Sequence, residues 1–232
     1  MRDTDSQDQA WWFDGLTNDA KFIIPVGAYA DYGLGWFANL GALSAEIRRR
    51  NTVFTPDHGP ECLFINSSRA PRRWDFDDVC VIWSAGIMVS GAMMDLLAGF
   101  ALGATQLLEL PLYEGRPATA PKVLPTTLEP DPTRPVPGRW GLLNVVERKD
   151  AISLEHSVNL GVPGISFVPL REKATLVAVH RAIACSGVDP WYDVRDPERT
   201  LFLSGRLRDA ILGAGLRVPA MKRLRRAVLI DP

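Results

Sequence analysis

An α+β fold, with a mixed, mostly antiparallel sheet covered by two Ser-capped helices, is predicted by three observations. Short apolar runs such as KFIIPV, CLFI and DVCVIW are bounded by Gly, Pro, Asn and Asp, as strands are. The stretches GIMVSGAMMDLLAGFAL (Gly86–Leu102) and TLFLSGRLRDAILGAGL (Thr200–Leu216) follow one plan: strand, Ser-Gly, a helical apolar stripe with an Asp on its polar side, then glycine. The 232 residues, 47% apolar and 23% charged, have the composition of an ordinary globular chain long enough to bury a sizeable core.

Taken in order, residues 1–10 (MRDTDSQDQA) are acidic and polar and read as a disordered leader. A single domain is expected over 11–232, with 11–74 as an N-terminal elaboration and 75–232 as the core. WWF and KFIIPV read as short buried segments. GLGWFANLG is a Gly-rich loop running into a helix over Leu40–Arg50, whose basic last turn suits the helix dipole. CLFI and DVCVIW are strands. Ser90 is an N-cap, since its hydroxyl satisfies a free N–H of the first turn. Ala92, Met93, Leu96, Leu97 and Phe100 then make an apolar stripe, and Gly103 ends the helix.

TQLLELPLYEG is a strand ending in a turn. The proline-dense RPATAPKVLPTTLEPDPTRPVPGRW is loop or extended edge, because proline lacks the backbone donor. WGLLNVVERKDAISL resumes as strand, turn and strand. GISFVPL is a strand, and TLVAVHRAIA suits either strand or helix. Ser204 caps the second helix, with Leu207, Ala210 and Ile211 inward and Gly215 at its end, and Val218–Ile230 is a final strand.

Charge and motifs narrow the chemistry. A net charge of −1 gives no global field for nucleic acid or anionic membrane, and MKRLRRA reads as a strand with a solvated cationic face. Cys62, Cys80 and Cys185 are widely spaced, with no CxxC pair, which points to reduced thiols and a cytoplasmic protein without a metal or other cofactor. The apolar run from Ile87 to Leu110 is broken by Ser90, Gly91, Asp95, Gln106 and Glu109, so no membrane span is expected. GLGWFANLG has neither GxGxxG nor GxxxxGK[ST]. WDFDD gathers Asp75, Asp77 and Asp78 at what reads as a strand edge. His58, His156 and His180 lie in no nucleophile motif, leaving only a Cys185–His180 or Cys185–His156 pair to consider. No catalytic residue is assigned.

The candidate binding segment is GVDPWYDVRDPERT (Gly187–Thr200), where Trp191 and Tyr192 sit among Asp193, Asp196 and Glu198. Aromatics interleaved with charge suit a recognition surface. Equally, the two rings could anchor the loop beneath the strand that follows.

Three segments together resemble a bacterial immunity-protein family, number eleven of the polymorphic-toxin classification and typified by myxobacterial members. They are the Val-Ser helix start (Val89–Leu97), the aromatic-x-Leu-Asn-Val strand with its following Asp (Trp140–Val145, Asp150), and the Asp-x-aromatic to Phe-Leu-Ser passage (Asp189–Leu216). The resemblance spans roughly residues 75–229. Gly205 stands where that family often carries an acidic residue. What the resemblance implies is a non-enzymatic protein that neutralises a cognate secreted toxin by direct contact. The competing expectation is an enzyme or small-ligand binder with a pocket of Asp75, Asp77, His156 and His180. Oligomeric state is not legible in these residues.

Overall fold

The computed structural model describes residues 8–13, 23–27, 53–54, 59–65, 76–82, 86–117, 128–158, 176–195, 200–218, 221–222 and 224–231. Its elements run β1 (Ala10–Phe13), β2 (Ile23–Gly27), β3 (Pro60–Ile65), β4 (Val79–Ile82), β5 (Gly86–Ser90), α1 (Gly91–Leu97), β6 (Gln106–Glu109) and β7 (Leu112–Pro117). They continue β8 (Leu128–Pro135), β9 (Trp140–Asn144), β10 (Arg148–Lys149), β11 (Ala178–His180) and α2 (Arg181–Ala184). The last are β12 (Trp191–Asp193), β13 (Leu201–Ser204), α3 (Gly205–Gly213), β14 (Leu224–Arg226) and β15 (Val228–Ile230). The fold is α+β and mostly β, as the strand-bounded apolar runs predict.

Within the stretch expected as a single domain, the chain divides into two compact units. Unit 1 comprises residues 1–17, 95–105 and 145–232, and unit 2 comprises 18–94 and 106–144. Each has its own apolar cluster and its own pair of sheets, which is the physical basis of the division. The expected N-terminal elaboration also dissolves. β1 enters unit 1 as an inner strand with Ala10 fully buried, whereas β2 and β3 belong to unit 2. Of the leader, 1–7 lie outside the described residues, as does the helix expected over 40–50.

In unit 2 one sheet has the order β4-β5-β9-β6 and the other β2-β3-β7-β8. β9 is antiparallel to both β5 and β6, so those two run parallel with a strand between them and α1 in their connection. This is a split βαβ unit. Its core gathers Leu63, Ile65, Cys80, Met88, Leu112, Val136 and Leu142. The expected strand over TQLLELPLYEG is two strands, β6 and β7, since Leu110 and Pro111 carry the chain from one sheet to the other. The proline-dense stretch supplies β8 at the sheet edge, where missing donors are tolerated.

Unit 1 repeats that plan. Its main sheet has the order β10-β12-β13-β1-β14, with β1 antiparallel to β13 and β14, and α3 in the connection between those two. Ser90 pairs with Trp140 and Ser204 with Ala10. The Gly91 N–H donates to the Arg139 carbonyl at 2.8 Å, as the Gly205 N–H does to that of Gln9 at 2.8 Å. At the far side, Leu110 N–H meets the Trp140 carbonyl and Ala227 N–H meets that of Ala10, each at 2.9 Å. The shared letters of the two sequence stretches thus mark one topology built twice. The difference lies in the inner strand, which follows its βαβ unit along the chain in β9 and precedes it in β1.

The two helices keep their predicted starts. Ser90 Oγ accepts the Met93 N–H at 3.2 Å and Ser204 Oγ accepts that of Leu207 at 3.1 Å. Their ends differ. Gly215, at φ 67°, takes the left-handed position after α3 and donates its N–H to Leu212. α1 has already stopped at Leu97, and Gly103 serves a later turn at φ 58°. Met93, Met94 and Leu97 are the buried face of α1, while Ala92 is exposed, contrary to the expected stripe. TLVAVHRAIA resolves into both alternatives, β11 followed by α2. GISFVPL lies outside the described residues.

Candidate functional site

The segment from Gly187 onward holds the predicted binding residues, and the structure turns two of them inward. Trp191 has no exposed surface and stacks on Phe202 with ring centroids 4.3 Å apart and planes 12° from parallel. β12 pairs with β13 at this point, Trp191 opposite Phe202, so the rings meet on one face of the sheet. Lys149 comes from β10 and lies over the same indole, Nζ 5.0 Å from the ring centroid. Its ammonium donates to the carbonyls of Ala184 (3.1 Å) and Val188 (2.9 Å). Burial pushes this ammonium's pKa below the lysine range, against the pull of Asp189 and Glu147.

Asp193 is also fully buried. One carboxylate oxygen accepts the N–H groups of Ala151 and Ile152, both at 2.8 Å, and the other accepts that of Arg195 at 2.9 Å. Burial raises its pKa more than these three bonds lower it. Asp189, 3% exposed, accepts the Ser204 N–H at 2.7 Å, and burial raises its pKa too. Arg195 ties down the rim, with Nη1 on the Ile152 carbonyl at 2.8 Å and Nε 2.6 Å from Asp150.

Trp191 therefore follows the anchor alternative, and Asp193 is an interior group as well, not a surface contact. A partner would have to displace a stacked ring and three backbone bonds to reach them. Tyr192 is partly exposed, and Asp196 and Glu198 lie outside the described residues. The signal that could have separated the two readings is alternation: in WYD only the middle side chain faces the other side of the strand.

The groups considered for catalysis are taken one by one. Ser90 donates to the Asp78 carboxylate at 2.5 Å while capping α1, and Ser204 caps α3. Asp77 belongs to unit 2, and His156 and His180 to unit 1; Asp75 and His58 lie outside the described residues. His156 Nδ1 is 2.9 Å from Ser153 Oγ, closing a tight turn, with the serine buried and the imidazole exposed. Burial raises the thiol pKa of Cys185, and that of Cys62 to about 11, keeping both in the less nucleophilic protonated form. Among the described residues no three His, Cys, Asp or Glu side chains converge as a metal site would need.

What sequence reasoning missed is an open groove of ≈ 470 Å³ in unit 1, lined by Asp8, Arg181, Arg226, Ala227, Val228 and Leu229. It lies where β14 bends into β15. Val228 is 42% exposed there, large for an aliphatic side chain on a strand, and Arg181 pairs with Asp231 at 2.8 Å. The lining thus sets Arg226 and the Asp231-paired Arg181 against Asp8, beside the exposed Val228 side chain, a mixed polar and apolar surface that suits an extended peptide segment better than a small apolar ligand. The MKRLRRA run signals the charge but not the concavity.

The chain matches no protein-family model and no curated protein sequence. Its class is defined by architecture alone: an α+β chain carrying two split βαβ units. No helix among the described residues is long and apolar enough to cross a membrane.

Proposed function

We propose that this is a cytoplasmic immunity protein that neutralises a cognate secreted bacterial toxin by direct protein–protein contact, without chemistry of its own. The observation that carries the reading is the structural employment of the two Ser-Gly serines: Ser90 and Ser204 each spend their hydroxyl on a helix start. The buried carboxylates Asp189 and Asp193 are likewise committed to backbone N–H groups. The groove at Arg181 and Arg226 adds a polar, concave surface of the kind a protein partner uses. The resemblance over residues 75–229 supplies the kind of partner. Free thiols at Cys62, Cys80 and Cys185 agree with a reducing compartment.

The test is co-expression with candidate secreted toxins, beginning with any effector encoded beside this chain. Cells should survive the effector only when the protein is present, and the two should co-purify. A folded protein that neither binds nor protects against the adjacent effector would overturn the reading.

A further inference from the structure

The two units differ at one sheet edge. In unit 2, β7 runs parallel to β3 on one side and antiparallel to β8 on the other. In unit 1, β15 takes the place of β7 and runs parallel to β11. The registers match residue by residue. Leu110 and Ala227 make the same backbone bond to the inner strand, and two residues further on stand Leu112 and Leu229. Leu112 lies opposite Leu63 of β3, and Leu229 opposite Val179 of β11.

Strand residues present their backbone groups to alternate edges. Val228 turns its N–H to β11, donating to Val177 at 2.9 Å, so Leu229 presents its N–H and carbonyl to the opposite edge. At Leu112 that carbonyl accepts the Val136 N–H at 2.8 Å, where β8 comes alongside, and Val136 is buried in the apolar cluster of unit 2. β8 is further held by the ion pairs Arg116–Glu129 (2.9 Å) and Arg134–Glu114. Among the described residues no strand flanks β15 on this side, and Val228 and Leu229 line the groove together with Asp8, Arg181 and Arg226.

We infer that the outer edge of β15 is a docking site for an extended segment of the partner protein, lying antiparallel to it and donating to the Leu229 carbonyl. The segment carries an aliphatic residue opposite Leu229, in the role of Val136, and an acidic residue toward Arg226. This rests on the reading that the protein acts by binding a partner, and strand addition to a sheet edge is an established mode of such binding. The chain's own MRDTDSQ is the less suitable occupant. Val136 precedes Trp140 by as many residues as Ser6 precedes Ala10, and serine cannot supply the aliphatic contact.

The experiment follows amide hydrogen exchange at Leu229 in the full chain, with an end-capped hexapeptide Glu-Thr-Val-Glu-Val-Thr as probe. In the free protein the Leu229 amide should exchange at least tenfold faster than that of Val228, and saturating peptide should slow it at least tenfold. A peptide with lysine for both glutamates should not do so, and Arg226→Glu should reverse this preference. A Leu229 amide already slow in the free chain and released by deleting residues 1–7 would overturn the inference, as would a peptide without effect there. In a neutralised toxin complex, a Leu229 amide that stays fast would overturn this edge while leaving the immunity reading intact. Peptide protection in a protein that neutralises no toxin would support the edge and sink that reading.

Discussion

Asp189, buried in unit 1, accepts the backbone N–H of Ser204 at 2.7 Å, while the Ser204 hydroxyl holds the first turn of α3. The matching residues of unit 2 are joined in the same sense, serine donating to aspartate, with the Ser90 hydroxyl on the Asp78 carboxylate at 2.5 Å and the Ser90 N–H on the Asp78 carbonyl at 3.0 Å. In each unit an aspartate at the start of one strand fixes the serine that ends the next. Ser204→Ala should cost about 1 kcal/mol, the usual worth of a cap. Ser90→Ala should cost more than a bare cap, because its hydroxyl also donates to the Asp78 carboxylate at 2.5 Å. Urea unfolding of the two variants checks the order.

The same aspartate gives a pH signature. Burial raises the folded-state pKa of Asp189 above its unfolded value. The folded protein then binds the proton more tightly, so this group's contribution improves as pH falls from neutral through the folded pKa and is complete below the unfolded one. Asp189→Asn keeps the acceptor and removes the titration. The melting temperature of the wild type, measured against that of the variant, should rise as the pH is lowered toward 4; an unchanged difference would contradict the assignment.

Trp191 and Asp193 should behave as core residues. Trp191→Ala is expected to cost about 3–5 kcal/mol through the cavity beside Phe202. Asp193→Ala strands the N–H groups of Ala151 and Ile152, at about 1–3 kcal/mol for each buried donor. Any loss of toxin neutralisation in these variants should track the unfolded fraction seen by circular dichroism. Loss of binding by a fully folded Asp193→Asn protein would return this residue to the interface.

His156→Ala separates the binding protein from an enzyme. The imidazole is exposed and touches Ser153 only to close a turn. Protection against the toxin should persist at the wild-type level, with stability lowered by no more than about 1 kcal/mol, the worth of one hydrogen bond. Loss of protection in a folded variant would favour catalysis.

Gly141 tests the packing of unit 2. A Cβ there would lie 2.5 Å from Met94 Sδ and 2.8 Å from the Leu108 carbonyl oxygen, a backbone atom that cannot swing aside. Gly141→Ala should cost about 1–3 kcal/mol by overpacking. At the matching position of unit 1, Trp11 lies under the Arg208 guanidinium at 4.2 Å, so Trp11→Ala should lose a cation–π contact without any clash. Thermal melts of both variants check the contrast.

The parts of this fold that were legible in the sequence are those set by neighbours along the chain. Ser90 and Ser204 announce helix starts because the bond they make reaches only three residues ahead. Gly215 announces a helix end because its left-handed backbone is a local demand. The strands β3, β4 and β9 were legible as short continuous apolar runs bounded by turn residues. The candidate site was less legible: the composition of WYD is the same whether Trp191 meets a partner or Phe202, and only the pairing of β12 with β13 chooses.

By itself, then, the chain's order of residues determined the apolar strands such as β3, β4 and β9, the two caps and the α+β class, because each depends on a few adjacent backbone and side-chain groups. Tertiary structure alone decided that β1 and β9 fill matching slots in two separate units, that Asp193 belongs to the interior, and that Leu229 faces an open edge. Those outcomes depend on hydrogen bonds and packing between segments far apart along the chain, which no local pattern encodes.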